Sequence, residues 1–167
     1  MKTQIEIIYQ DDNVIAVNKP SGIIVIPDQH TAEDQTLVGI LKKQLKQRKL
    51  LSSLELKMHK LRTGNYENNL TEQNEIFSLL AGEFREFISF ITEMDCRVLA
   101  PREFSVYAVA VPGVAGPDFF FRLFRQWDNL RFSGQPISKN EVLHILDELG
   151  IFFNNINNNN QKSGKTG

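Results

Sequence analysis

Residues 11–26 read DDNVIAVNKPSGIIVI, and this stretch determines the fold expected for the first part of the chain. Two short apolar runs rich in Ile and Val alternate with turn residues, which is typical of strands. Pro20 fixes φ and Gly22 tolerates a positive φ, so both suit the bend between the runs. A plain turn has no need of Lys19, which therefore calls for a functional explanation. The pattern predicts strands over residues 5–9, 13–18 and 22–26.

The composition is that of a globular protein with one well-buried core. The chain has 167 residues, 41% hydrophobic and 23% charged. No window approaches the roughly 18 apolar residues of a membrane span, and the polar residues near the start come too early for a signal peptide. A single cysteine, Cys96, excludes an intramolecular disulfide and fits a reducing compartment. A cytoplasmic protein is therefore expected.

The rest of the chain alternates predicted helices and strands without a regular βαβ rhythm, which favours the α+β class. Apolar residues at helical spacing predict a helix over 36–50, and a Phe-rich amphipathic helix is predicted over 74–94. Alternating apolar residues predict a strand over 102–111. Ser138 and Glu141 have the spacing of a capping box and open a helix predicted to end at Gly150. We expect one domain over residues 1–153 and a disordered Asn-rich tail over 154–167.

Basic residues are concentrated between Lys42 and Arg62. This stretch holds eight Lys or Arg and one acid, Glu55. Lys42, Lys46 and Lys49 follow each other at i, i+4 and i+7 and therefore share one side of the predicted helix. Two interpretations stay open: a solvated helix face, or a surface that contacts a phosphate backbone.

The pattern of possible metal ligands argues against a metal site. His30, His59, His144 and Cys96 are far apart in sequence, and no pair has the spacing of metal ligands. A cysteine that follows an apolar helix is more often a small core residue than a nucleophile. No metal and no cofactor are expected.

The stretch DNVIAVNKPSGIIVIP, residues 12–27, resembles the first motif of the RluA-type RNA pseudouridine synthases. In that motif a strand ends in a Lys-Pro-x-Gly turn and a second strand returns. The likeness extends to the acidic turn before it and to Thr36-Leu37-Val38 after it, and it is close over residues 7–41. The resemblance gives Lys19 a role in the family's cleft.

Three later segments resemble further motifs of the family, in the family's order. The first is MHKLRTGN, where His59, Lys60 and Leu61 match a His-Arg-Leu-Asp motif and Arg62 stands at the position of its catalytic aspartate. The second is SVYAVAVPG, which matches a family strand at Tyr107, Ala108, Val111 and Gly113. The third offers Arg125-Gln126, Arg131 and then Gly134-Gln135-Pro136-Ile137.

Arg62 is the main departure from the family. The family's aspartate acts, without a cofactor, while uracil is detached, rotated and rejoined through carbon. A carboxylate can serve as nucleophile or base, whereas a guanidinium stays protonated and does neither. Asp128, in RQWDNLRFSG, has a faint likeness to the motif and is the candidate for a relocated acid. A degenerate active site is therefore expected.

The resemblance implies a pseudouridine-synthase-like α+β fold, compressed or truncated, with a mixed, mainly antiparallel sheet and flanking helices. It implies ribosomal or transfer RNA as partner, and we expect a monomer that engages neither membrane nor metal. Three functions remain open: a silent RNA-binding module, an active synthase with a relocated acid, or a protein-interaction domain. The RNA-binding residues expected are Lys19, Lys42, Lys46, Lys49, His59, Lys60 and Tyr107.

Overall fold

The computed structural model of the chain describes residues 4–65, 70–107, 116–133 and 138–162. It confirms the α+β class, with a larger helical share than predicted: these residues form one two-stranded antiparallel sheet and five α-helices. The strands are β1 (Glu6–Gln10) and β2 (Ile15–Asn18). The helices are α1 (Leu37–Thr63), α2 (Leu70–Thr92), α3 (Pro101–Tyr107), α4 (Gly116–Phe132) and α5 (Lys139–Lys162).

The chain divides into two compact units, residues 1–49 and 50–167, and α1 contributes residues to both. The predicted single domain over residues 1–153 stays a prediction. The helix opened by Ser138 does not end at Gly150, because buried Phe152, Phe153 and Ile156 continue its apolar face. The predicted end was wrong, and residues 154–162 of the predicted disordered tail are helical.

In the first unit, β1 and β2 form a hairpin whose turn is closed by Asp11. Its carboxylate oxygen Oδ1 accepts the backbone N–H groups of Asn13 and Val14, both at 2.8 Å, as Asp does in Asx turns. The hydroxyl of Tyr9 donates to Oδ2 of the same carboxylate at 2.7 Å. These hydrogen bonds, of which the one from Tyr9 has the largest effect, hold the pKa of Asp11 below its usual value. The two predicted strands and their turn are confirmed.

The segment after the hairpin caps a helix instead of forming the predicted third strand. The carbonyls of Ile24 and Val25 accept the N–H groups of Leu37 and Val38, at 2.8 and 3.2 Å. These amides belong to the first turn of α1 and have no partner within the helix. Two carbonyls of residues 23–26 therefore cap α1 and are not available for pairing with another strand. The strand predicted over 22–26 was wrong.

The start of α1 is packed closely against the 3-10 turn Glu33–Gln35. Thr36 is fully buried, and its hydroxyl donates to the Glu33 carbonyl at 2.7 Å and accepts the Gly39 N–H at 3.2 Å. A Cβ on Gly39 would lie 1.8 Å from the same carbonyl oxygen, so only glycine fits there. The helix then runs thirteen residues beyond its predicted end at 50, because Leu54, Met58 and Leu61 add a buried face.

Aromatic side chains form the core of the second unit. Phe84 of α2 lies among rings from α4 and α5, and Trp127 of α4 is fully buried beside it. A half-buried group joins α1 to α2: the Lys57 ammonium lies 2.7 Å from the Glu83 carboxylate, which also accepts the Ser53 hydroxyl at 2.9 Å. The Phe-rich amphipathic helix predicted over 74–94 is confirmed as α2, and its Phe77, Phe84 and Phe87 are fully buried.

The strand predicted over 102–111 is a helix, α3, as far as the structure describes it, up to Tyr107. Pro101 begins the helix, where its missing N–H costs nothing. The Glu103 carboxylate accepts the Ala100 N–H at 3.0 Å, which is half of a capping box. The reciprocal capping box at Ser138 and Glu141 is confirmed, with the Glu141 N–H 3.3 Å from the Ser138 hydroxyl.

Candidate functional site

Lys42, Lys46 and Lys49 are exposed side chains on the first half of α1. The helical rise places Lys42 and Lys49 about 10 Å apart along the axis, on one side of the helix. The Lys42 ammonium forms a hydrogen-bonded ion pair with the Glu33 carboxylate at 2.8 Å, which lowers the pKa of Glu33. Both partners are exposed, and ion pairs of this kind are weak and screened by salt. The structure therefore brings together the three lysines of the predicted stripe on an accessible surface.

Lys19 is exposed and folds back on its own turn. Its ammonium donates to the carbonyl of Ile23 at 2.9 Å and to that of Pro20 at 3.3 Å. Gly22 has a φ of 82°, as the turn was predicted to need. The contacts give Lys19 a local structural role, closing the Lys-Pro-x-Gly turn, that the sequence pattern did not reveal. Its predicted contact with RNA stays a prediction.

His59, Lys60 and Arg62 are exposed near the end of α1, within the second unit, whereas Lys19 belongs to the first. The Arg62 guanidinium forms an ion pair with the Asp147 carboxylate of α5 at 2.8 Å. Asp147 lies 85 residues away in sequence, so no local pattern could have signalled this pairing. At the position where the resemblance expects a free carboxylate, the structure has a cation that links two helices.

Asp128, the candidate for a relocated acid, lies on α4 with about a third of its side chain exposed. Its carboxylate oxygen is 3.9 Å from the guanidinium of Arg85. Burial lowers the pKa of Arg85, and the Asp128 carboxylate acts against this shift by favouring the charged guanidinium. Arg85 also donates to the carbonyl of Leu99 at 2.7 Å and lies 4.2 Å above the centre of the Phe124 ring.

Arg85 was not predicted from the sequence, and it explains the surroundings of Asp128. Its guanidinium joins the segment after α2 to α4 through the carbonyls of Cys96 and Leu99, the Phe124 ring and the Asp128 carboxylate. Asp128 therefore serves as the counter-charge of a largely buried cation.

Tyr107, predicted to stack on a base, is the last residue of α3, and its side chain lies outside the described residues. Within residues 4–65, 70–107, 116–133 and 138–162, no group of His, Cys, Asp or Glu could hold a metal ion. None of the helices in that part of the chain is long and apolar enough to cross a membrane.

The motifs that resemble the synthases lie in different kinds of structure. The Lys-Pro-x-Gly segment is a turn, as the resemblance implies, and MHKLRTGN is the end of α1. The segment SVYAVAVPG begins inside α3, where the resemblance implies a strand. No family model, no curated protein and no solved structure shows a significant match to the chain.

Proposed function

We propose that the chain is an RNA-binding protein related to the RluA-type pseudouridine synthases, and that it does not catalyse uridine isomerisation. The observation that carries the proposal is the accessible stripe of Lys42, Lys46 and Lys49 on α1. Lysines spaced along one side of a helix can neutralise successive phosphates and release their counterions. Ribosomal or transfer RNA is the ligand class that the resemblance suggests.

The loss of catalysis follows from the two positions that could supply a carboxylate. The guanidinium of Arg62 forms an ion pair with the Asp147 carboxylate at 2.8 Å. Asp128 balances the charge of Arg85. Neither side chain offers an unengaged carboxylate, so the chemistry of the family has no nucleophile or base at these two positions.

Replacing Lys42, Lys46 and Lys49 together by Gln should weaken RNA binding and flatten its dependence on salt. If each lysine meets one phosphate, the slope of log K against log salt should fall by about two units. Affinity for transfer RNA is measured by filter binding over a series of salt concentrations. The matched control replaces three exposed cations elsewhere, Arg97, Arg122 and Lys139, by Gln, which removes the same net charge.

The control separates a localised interface from a general effect of charge. In the variant of Lys42, Lys46 and Lys49, the slope of log K against log salt should decrease by about two units. The control variant should keep most of the slope of the parent protein. Equal losses in both variants would show that RNA responds only to net charge, and the stripe would then be an ordinary solvated helix face. Sequence preference should change little in either variant, because phosphate contacts carry no sequence information.

The purified protein should form no pseudouridine in ribosomal or transfer RNA transcripts that it binds. The reason for this expectation is that Arg62 stays protonated and that Asp128 lies against the guanidinium of Arg85. The measurement is mass-spectrometric detection of pseudouridine after long incubation with excess protein. Product that depends on Asp128, and disappears in Asp128→Asn, would overturn the silent-module proposal and identify the relocated acid.

A further inference from the structure

The two edges of the hairpin sheet differ in how they are protected. The Gln44 side chain acts as a strand partner for Ile5, because its amide accepts the Ile5 N–H at 3.0 Å and donates to the Ile5 carbonyl at 2.9 Å. A bulge between Ile7 and Tyr9 then distorts β1. Gln44 and the bulge both protect the edge of β1 from pairing with another strand. The strand β2 has the sequence IAVN, without charge, proline or bulge, and no third strand pairs with it among the described residues.

One face of this sheet is exposed and carries both apolar and polar side chains. Tyr9 pairs with Ala16 across the strands, and the Glu6–Asn18 pair lies on the same face because side chains alternate along β2. Tyr9 is 55% exposed, and Ile8 at the bulge is 68% exposed. The opposite face includes half-buried Ile7 and Val17 and exposed Ile15. The hairpin therefore offers the face of Tyr9 and Ala16 next to the edge of β2.

Carboxylates surround the exposed face. The Glu6 carboxylate accepts the side-chain amide of Asn18 at 2.9 Å, and Asp11 accepts the Tyr9 hydroxyl. The ammonium of Lys19, the one lysine within residues 4–36, is bound to backbone carbonyls of its own turn. Residues 4–36 contain six acids against that lysine: Glu6, Asp11, Asp12, Asp28, Glu33 and Asp34.

We propose that β2 binds an extended segment of another protein as a third strand, and that this segment alternates apolar and basic residues. Backbone hydrogen bonds to the edge of β2 would supply affinity, and side chains on the Tyr9–Ala16 face would supply specificity. Lysines or arginines of the segment meet Glu6, Asp11 and Asp12, which have the complementary charge. This proposal does not depend on RNA binding by the lysines of α1.

A second copy of the chain fits the edge less well. A second copy brings the same acidic residues, Glu6, Asp11 and Asp12, to the interface. Charge therefore favours a basic strand from a different protein.

A charge exchange at Ala16 tests the proposal. Ala16 is exposed, so Ala16→Lys and Ala16→Glu should both fold with the melting temperature of the parent protein. The probe is a fluorescent peptide of about ten residues that alternates valine and lysine, a typical strand length. Its binding to the full chain is followed by fluorescence anisotropy. Ala16→Lys should weaken binding at least about tenfold, because a lysine on an edge strand repels a basic partner, and Ala16→Glu should preserve or strengthen it.

Three outcomes would overturn the proposal. The first is equal binding of a valine–glutamate peptide, which would mean unselective apolar adhesion. The second is equal loss of binding in Ala16→Lys and Ala16→Glu, or no binding by the parent protein. The third is a dimer, seen by light scattering, that Ala16→Lys dissociates while the peptide fails to bind, because β2 would then be closed by a second copy.

Discussion

Phe84→Ala is expected to lower the free energy of unfolding by about 4 kcal/mol, because a fully buried ring would leave a cavity between three helices. The Phe84 ring is the centre of the aromatic core. Neighbouring helices cannot collapse into the space without breaking the contacts among the remaining rings. Its ring neighbours, at centroid distances of 5.4 to 6.4 Å, are Phe120, Phe124, Trp127, Phe152 and Phe153.

The measurement is urea unfolding followed by far-UV circular dichroism. Phe132→Ala is the matched control, since Phe132 is 75% exposed and its removal should cost less than about 0.5 kcal/mol. Similar losses from the two variants would contradict the central position of Phe84 in the core.

Gly39→Ala should destabilise the first unit by about 3 kcal/mol, the upper end of what overpacking usually costs. The added Cβ would lie 1.8 Å from the Glu33 carbonyl oxygen and 2.6 Å from its carbon. Both atoms belong to the backbone, and that carbonyl also accepts the buried Thr36 hydroxyl, so a rotamer change cannot relieve the contact. The 3-10 turn or the start of α1 must move instead.

The same substitution elsewhere should have the opposite effect. Gly82 in α2 and Gly150 in α5 are helical glycines with no atom within 4 Å of an added Cβ. Alanine there should stabilise the protein by about 0.5–1 kcal/mol, because glycine loses more entropy in a helix. Thermal unfolding by circular dichroism compares the three variants. Stabilisation by Gly39→Ala would show that the turn at Glu33 does not pack against α1 as described.

The parts of the fold that were predicted correctly rest on local chemistry. The turn at Asp11 and the capping box at Ser138 each involve residues two or three positions apart, so their spacing was enough to predict them. The helix α4 was not predicted, although its Gly116-Pro117 start is compatible with a helix, because a proline is tolerated in the first turn. Similarly, the Ala100-Pro101 start and Glu103 could have identified α3 as a helix.

The contacts of the candidate site depended on tertiary structure and could not be predicted. The charge run on α1 was visible in the sequence, and so was its exposure on one side of a helix. The partners of Arg62 and Asp128 come from other helices, 85 residues away for Arg62 and on α2 for Asp128. The contacts of Lys19 are local, because its partners are backbone carbonyls only one and four residues away. They were not predicted because every residue type carries a backbone carbonyl, so the sequence gives no signal for them.

The burial of Trp127 gives the two units different optical properties. It is the only tryptophan of the chain, it is fully buried, and its ring stacks near Phe77, Phe84 and Phe124. Its indole N–H meets no acceptor among the described residues. Its fluorescence should therefore be emitted at short wavelength and be shielded from dissolved quenchers. Because Trp127 belongs to residues 50–167, this emission reports melting of the second unit.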